Sequence, residues 1–222
     1  MTIDLGSLWF ALHRAPGEPG FVVLGVVGDE FADGTVVELP LPVRRPTGWV
    51  AEVHVAGPGQ VPHKAVIADA ALPGAPLLWY VVVPASGSEV DLVAFSTADR
   101  ADGDVLDLAA FTALRLDWDN QVGAMRWDTA TGLVRQVYVA PAFRRLGVAT
   151  KLGWAVACVV HGRGWAPLQA DGRRTDLGEA WIAGRSDGWR VQVPERTECA
   201  PPMTPPDEAL GVPDRNLVPD RT

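Results

Sequence analysis

Residues suited to binding an anion are concentrated in one short stretch, 144–150, whose sequence is RRLGVAT. Arg144 and Arg145 supply two positive charges, and Gly147 and Ala149 are small enough for a ligand to approach the backbone closely. A helical pattern begins immediately afterwards, and the first amides of a helix have no hydrogen-bond partner within it. Such amides, at the positive end of the helix dipole, bind phosphate groups. The stretch therefore predicts a phosphate-binding turn.

Two predicted strands lead into this turn. Apolar segments predict strands over 122–127 and 133–139, and the polar residues 128–132 between them predict a turn. The short connection indicates that the two strands form a hairpin. Pro141 ends the second strand, because proline has no backbone N–H to donate.

Two helices are predicted after the turn. The first opens near Gly147 and stops at Gly162, since glycine commonly ends a helix. Its apolar residues, spaced by four, three and four, form one stripe: Val148, Leu152, Ala155 and Val159. A short strand is predicted over 167–170. Thr175 is the predicted N-cap of a second helix, which stops at Gly184.

The first hundred residues predict a β-rich region. Apolar runs recur between turn residues, and none of them shows a convincing helical period. The predicted strands are 21–27, 35–43, 49–56, 77–84 and 90–96. A last strand is predicted much later, over 189–193.

The change of pattern near residue 100 predicts a module boundary. Residues 98–104 are polar, and 105–114 resemble a short amphipathic helix. We therefore predict three parts: a β-rich region able to contribute the first strands of the core, a central core, and a Pro-rich tail or assembly arm. Their ranges are 1–100, 101–195 and 196–222. The predicted fold class is α/β in the α+β sense, with a mixed, mostly antiparallel sheet and flanking helices.

Composition narrows the class of protein. The chain has 222 residues, of which 48% are hydrophobic and 21% charged, so it is expected to fold. The net charge of −8 argues against a general nucleic-acid-binding surface. The stretch from Leu133 to Arg174 nevertheless contains seven basic residues and one acidic residue. This local positive charge indicates a bound anion.

Other functional classes find little support in the sequence. No apolar run is long enough to span a bilayer, and the N-terminal residues include Asp4 and no basic leader. Cys158 lies in an apolar run and Cys199 in the Pro-rich tail, so no disulfide framework is expected. The histidines are dispersed, so we predict no metal site. These features predict a cytoplasmic protein with neither a membrane nor a nucleic-acid partner.

Residues 144–149 resemble a known motif. The sequence RRLGVA fits the pattern Gln/Arg-x-x-Gly-x-Gly/Ala, the pyrophosphate-binding motif of the GNAT acyltransferase superfamily. The preceding VYVAP is similar to that family's fourth strand and its exit. The hairpin, turn, long helix, short strand and second helix follow in the family's order over residues 116–193. Arginine far outnumbers lysine, a bias typical of GC-rich genomes such as those of actinobacteria and their phages.

This resemblance implies a GNAT-like fold and a bound acetyl-CoA or other acyl-CoA as co-substrate. In the family, amides of the turn hold the pyrophosphate, and the strand before it pairs with the pantetheine arm because its neighbour strand splays away. Acyl transfer to an amine is then direct. The implied cofactor-binding residues are Val137, Tyr138, Val139, Arg144, Arg145, Leu146, Gly147, Val148, Ala149 and Thr150.

The catalytic residues of the family have no clear counterpart. Many members use a tyrosine after the second helix as the acid, whereas the tyrosines here are Tyr80 and Tyr138. Many also place a glutamate at the start of the fourth strand, where this chain has Leu133. The nearby carboxylates either act through water or are ordinary surface acids: Asp117, Asp119 and Asp128. We therefore assign no catalytic residue.

Three functions remain open from the sequence. The first is an acyl-CoA-dependent N-acyltransferase acting on an unidentified amine. The second is a non-catalytic structural protein on a GNAT-like scaffold, such as a phage virion component, with the tail holding a protein partner or a second copy. The third is an acyl-CoA-binding sensor. The expected location is the cytoplasm, or the host cytoplasm or virion for a phage-encoded protein.

Overall fold

The computed structural model describes residues 7–57, 60–184 and 193–200. Its fold is α+β, with two five-stranded mixed sheets and a long helix between them. The α-helices in these ranges are α1 (Leu108–Ala113), α2 (Val148–Arg163) and α3 (Asp176–Ala183). A search of the same ranges for a helix long and apolar enough to cross a membrane finds none.

The first sheet is formed by the N-terminal part of the chain. Its strands are β1 (Ser7–Arg14), β2 (Phe21–Gly28), β3 (Val36–Leu39), β4 (Trp49–Val55) and β5 (Pro62–Ile67). Their order in the sheet is β3-β1-β2-β4-β5. β1 and β3 run parallel, and the other neighbours are antiparallel.

The second sheet repeats this arrangement. Its strands are β6 (Trp79–Pro84), β7 (Glu89–Phe95), β8 (Val105–Asp107), β9 (Gln121–Asp128) and β10 (Val134–Val139). Their order is β8-β6-β7-β9-β10, with β6 and β8 parallel and the other neighbours antiparallel. The five strands of each sheet thus occupy the same positions and directions in chain order. A separate pair, β11 (Arg173–Arg174) and β12 (Glu198–Cys199), is parallel.

Helix α2 forms the centre of the molecule because both sheets pack on it. Residues 151–160 are all buried, as expected for a helix that is covered on every side. Gly25 allows β2 to approach closely, since a Cβ there would lie 3.2 Å from Sγ of Cys158. Burial raises the pKa of the Cys158 thiol to about 12, so this cysteine is protonated at neutral pH.

The outer face of each sheet carries a smaller apolar cluster. On the first sheet, Trp9 and Leu24 pack against residues on both sides of β3, including Phe31 and Val43. On the second sheet, Trp79 and Phe95 stack 4.4 Å apart and pack against Phe111 of α1. Both sheets are therefore covered on two faces, which requires apolar residues on both sides of their central strands.

Most of the predicted strands are confirmed. The structure contains strands at six of the predicted positions: 21–27, 49–56, 77–84, 90–96, 122–127 and 133–139. The strand predicted over 35–43 is shorter than expected, since β3 ends at Leu39. The sequence analysis missed β1 and β5. The strand predicted over 189–193 falls mostly outside the described residues.

The predicted helices are confirmed with corrected ends. α2 continues to Arg163, and Gly164 caps it in a left-handed conformation with φ 64°, so the stop predicted at Gly162 was two residues early. Thr175 caps α3 as predicted, because its Oγ1 accepts a hydrogen bond from the amide of Gly178 at 3.0 Å. Only part of 105–114 is helical, since its first three residues form β8.

The arrangement of the elements differs from the prediction in two ways. The longest helix does not flank a single sheet but lies between two sheets. The boundary placed near residue 100 falls inside the second sheet, between β7 and β8, and the change of sheet comes between Ile67 and Trp79. The first hundred residues thus contribute β6 and β7 to the second sheet.

Candidate functional site

The predicted phosphate turn connects β10 to α2. After a single 3-10 turn over Pro141–Phe143, the chain passes through two left-handed residues, Arg145 with φ 64° and Gly147 with φ 84°. Left-handed residues placed so close together curve the backbone and direct its amides toward a common point, a geometry that binds anions. α2 begins at the next residue, Val148, so the amides of its first turn follow directly on these two residues in the chain.

The side chains of the turn leave it accessible to solvent. Arg145 and Leu146 are exposed, Gly147, Ala149 and Thr150 are half-buried, and Val148 points into the core. Arg144 is half-buried, and its Nε donates a hydrogen bond to the carbonyl oxygen of Val139 at 3.2 Å.

The connection between the two sheets packs against this turn. A Cβ on Gly147 would lie 3.2 Å from the Cβ of Ala75, so a larger residue there needs a rearrangement in addition to its unfavourable φ. Lys151, whose side chain is 2% exposed, donates from Nζ to the carbonyl oxygen of Pro76 at 2.7 Å. The segment around Ala75 is thereby fastened to the first turn of α2.

Strand β10 lies at the edge of the second sheet. The amide of Ala140 donates to the carbonyl oxygen of Val122, and Tyr138 pairs with Ala124. Because backbone groups alternate in direction along a strand, the amides and carbonyls of Val137 and Val139 point away from β9. The contact of Arg144 with the Val139 carbonyl agrees with this alternation. The residues implied to pair with a pantetheine arm therefore lie on the outer edge of the sheet.

A parallel segment joins this edge at one end only. The amide of Val134 donates to the carbonyl oxygen of Gln169 at 2.8 Å, and the amide of Gln169 donates to the carbonyl oxygen of Gly132 at 2.9 Å. Leu133 and Gln169 form the isolated parallel bridge that results. The segment predicted as a strand over 167–170 contributes just this bridge, and among the described residues no further pairing joins it to β10. A gap thus opens beside β10 toward the phosphate turn.

A cavity of about 240 Å³ occupies this gap. The edge of β10 lines it over 134–137, and the parallel segment lines it opposite, over 167–171. Helix α3 contributes Trp181, whose indole N–H donates to Oγ1 of Thr150 at 3.1 Å. Trp181 therefore marks the end of the cavity that lies nearest to the turn. A concave space bounded by several elements in this way is typical of small-molecule sites.

The arginines at the cavity are held by neighbouring groups. Arg174 is bound through Nε to Glu179 at 2.7 Å, and Arg173 is paired with Glu198 at 2.9 Å. Arg135 lies 3.3 Å from Glu89. The Oδ1 atom of Asp171 accepts from the amide of Arg173. These contacts fix the polar wall of the cavity.

The acids and tyrosines weighed in the sequence analysis lie in structural positions. Asp117 caps the 3-10 turn over Trp118–Asn120. Asp128 caps its own turn, where hydrogen bonds from the amide of Thr131 and the hydroxyl of Ser88 lower its pKa. Tyr80 is fully buried, and burial raises its pKa. Neither these groups nor Tyr138 gives the site an evident acid or base.

The structure brings the ten predicted site residues together as one continuous unit of strand edge, turn and helix start. It adds residues that the sequence analysis did not assign to the site: Gly132, Gln169, Thr175, Gly178 and Ile182. Thr175, which was predicted as a helix cap, also lines the cavity, as does Trp181. Comparison with known proteins identifies no relative: no family model, no curated protein and no solved structure matches the chain.

Proposed function

We propose that the chain is a GNAT-type N-acyltransferase, which binds an acyl-CoA and transfers its acyl group directly to an amine. One observation carries the proposal: the open edge of β10 leads through a turn with two left-handed residues into the start of α2, and a cavity lies beside that edge. The elements that would bind the phosphate groups thus border the cavity in which a thioester could lie.

Each part of the donor has a matching feature. The turn over 145–150 offers backbone amides and the charge of Arg145 to a pyrophosphate. The outward backbone groups of Val137 and Val139 can pair with the amides of a pantetheine arm as an added strand would. The neighbouring cavity then receives the thioester and its acyl group. Use of a CoA thioester would place the protein in the cytoplasm.

The reaction needs little from the side chains. The amine nitrogen attacks the thioester carbonyl, the C–N bond forms as the C–S bond breaks, and the thiolate leaves. The amine loses one proton, which passes to solvent or to the departing sulfur. Holding the two reactants in position supplies most of the acceleration in such a transfer. This agrees with a cavity whose lining includes neither tyrosine of the chain and none of Asp117, Asp119 and Asp128.

The lack of a tyrosine at the cavity favours a second candidate, a protein that binds acyl-CoA as a sensor or structural element without turnover. Tyr80 is buried in the core, and Tyr138 belongs to the β10 strand. Release of free CoA thiol from acyl-CoA in the presence of a panel of amines separates the two candidates. Binding without thiol release under all these conditions would favour the second.

The phosphate turn is tested with a charge reversal. We expect calorimetric titration of the full chain to show micromolar binding of CoA and acetyl-CoA that weakens with added salt. Arg145→Glu should weaken binding by about tenfold or more, because it replaces an attractive charge beside the pyrophosphate with a repulsive one. Arg145 is exposed and already left-handed, so the substitution adds little backbone strain.

Arg115→Glu is the matched control. Arg115 is also exposed and left-handed, with φ 53°, but it follows α1 rather than β10. Its replacement changes the net charge equally and should leave CoA affinity unchanged. Equal losses in both variants would mean that the binding is a general charge effect. An absence of CoA binding up to millimolar concentration would overturn the proposed function.

A further inference from the structure

The cavity beside β10 continues far into the space between the two sheets. On α2 it is lined by residues of one helix face: Gly153, Ala157, Val160 and His161. Gly153 and His161 are about 12 Å apart along the helix axis. The first sheet closes the far end with Leu8 and Phe10, and the Phe10 ring stacks on His161 with 3.6 Å between the ring centroids.

The walls of the cavity along α2 are apolar, and its charged residues lie at its two ends. Leu8, Phe10, Met125 and Val160 form its walls. Burial lowers the pKa of His161 to about 4, so its ring is neutral at pH 7. At the β1 end lies the exposed Asp33, whose Oδ1 accepts a hydrogen bond from the amide of Leu8 at 3.0 Å. The other charged side chains lie at the β10 end: Arg135, Asp171, Arg173 and Arg174.

The size of this space exceeds what an acetyl group needs. An apolar cavity of about 150 Å³ is large enough to bind benzene, and the cavity here is about 240 Å³. A two-carbon acyl group held beside β10 would leave the part between Ala157 and Phe10 empty. Each methylene group that fills apolar space of this kind strengthens binding by about fourfold.

We propose that the cavity holds the hydrocarbon chain of a medium-chain acyl-CoA, so that the donor substrate is a medium-chain thioester rather than acetyl-CoA. The inference rests on the proposed function, because it assumes that the phosphate turn binds the CoA part of the donor. The chain would enter beside Val134 and Val137 and run along α2 toward Phe10.

The test is a titration of the full chain with CoA and with acetyl-, butyryl-, hexanoyl- and octanoyl-CoA. Affinity should rise with each step and level off when the chain reaches Phe10, with at least a tenfold difference between acetyl-CoA and octanoyl-CoA. If CoA binds and all thioesters bind equally, the chain-length inference is wrong and the proposed function stands. If neither CoA nor any thioester binds, the proposed function itself fails.

Variants with a larger side chain in the cavity test whether the gain in affinity with chain length arises there. Ala157→Phe should remove the gain from longer chains and leave the affinity for CoA unchanged. Ala157→Leu is a smaller change that preserves the test if the phenylalanine variant does not fold. Val36→Phe is the control, since Val36 is exposed and lines a second cavity that shares only His161 with the first. A gain from chain length that survives in both Ala157 variants would overturn the assignment of the chain to this cavity.

Titration with free octanoate tests whether the hydrocarbon chain in the cavity belongs to an acyl-CoA or to a free fatty acid. We expect octanoate alone to bind weakly compared with octanoyl-CoA, because it lacks the contacts with the turn. Octanoate that binds as tightly as octanoyl-CoA, and equally well to Arg145→Glu, would mean that the cavity takes a free fatty acid. That result would overturn the assignment of a CoA thioester.

Discussion

Glu52→Gln is expected to lower the free energy of unfolding at pH 7 by about 3 kcal/mol. The side chain of Glu52 is 7% exposed, and its carboxylate accepts hydrogen bonds from Nε2 of His54 at 2.5 Å and from Nε of Arg45 at 2.7 Å. The bond from His54, followed by that from Arg45, lowers the pKa of Glu52 from 4.5 to about 2, although burial opposes the change. The charged form is therefore strongly preferred in the folded protein.

The direction of the pKa shift determines the pH range over which Glu52 stabilises the folded protein. Because the folded-state pKa lies below the unfolded one, the stabilisation is complete above about pH 4.5 and is lost as the pH falls toward 2. Urea unfolding from pH 2 to pH 7 should show this loss in the unchanged protein. The Glu52→Gln variant should show a flatter profile in the same window, since glutamine does not titrate.

Glu198→Gln provides the control for this experiment. Glu198 forms an ion pair with Arg173 at 2.9 Å, but both side chains are more than half exposed. Surface pairs of this kind contribute at most about 1 kcal/mol. The control should therefore leave both the stability and its pH profile nearly unchanged. Parallel pH profiles for the unchanged protein and Glu52→Gln would contradict the role assigned to Glu52.

The local elements of the site were predictable from the sequence, because their signals lie close together in the chain. Pro141, Gly147 and the cap at Thr175 each mark a boundary through their own backbone chemistry. α2 was predicted from a single apolar stripe, although the structure buries its other faces as well. A helix between two sheets has no polar face, so the stripe reports only part of its environment.

The strands missed in the sequence analysis show why hydrophobic periodicity was not sufficient to predict every strand. β1 has the sequence SLWFALHR, and four consecutive residues, Leu8 to Ala11, are buried. Leu8 and Phe10 face α2, whereas Trp9 and Ala11 face the outer cluster. A strand covered on both sides loses the alternation of polar and apolar residues that identifies a half-exposed strand. The second sheet and the cavity depend on contacts between residues far apart in sequence, which no local pattern reports.

The repeated strand order allows the two halves to be compared position by position. In the second half, β10 continues through the turn into α2. In the first half, the strand in the corresponding position, β5, continues into the connection that packs against Gly147 and accepts the hydrogen bond from Lys151. The first half thus has no counterpart to the proposed phosphate turn. It supplies instead a support for the turn and, through Leu8 and Phe10, the far wall of the cavity.

Gly132→Ala is expected to destabilise the fold by about 3 kcal/mol and to disrupt the site. Gly132 has φ 76°, and a Cβ there would lie 1.9 Å from the carbonyl oxygen of Pro167, which is a backbone atom that cannot rotate away. The segment carrying Pro167 must therefore move and break its two hydrogen bonds with Gly132 and Val134. Each bond contributes about 1 kcal/mol, and the left-handed backbone adds a similar cost for alanine.

Gly17→Ala is the control for Gly132→Ala. It separates the steric clash with Pro167 from the strain of placing alanine in a left-handed conformation. Gly17 has φ 80°, nearly the same as Gly132, but a Cβ there would meet nothing within 4 Å. Its replacement should cost only about 1 kcal/mol, so urea unfolding of the two variants isolates the contact with Pro167. Equal costs would show that the parallel segment is not tightly held against β10. Because that segment forms one wall of the cavity, Gly132→Ala should also weaken acyl-CoA binding in protein that remains folded, whereas Gly17→Ala should not.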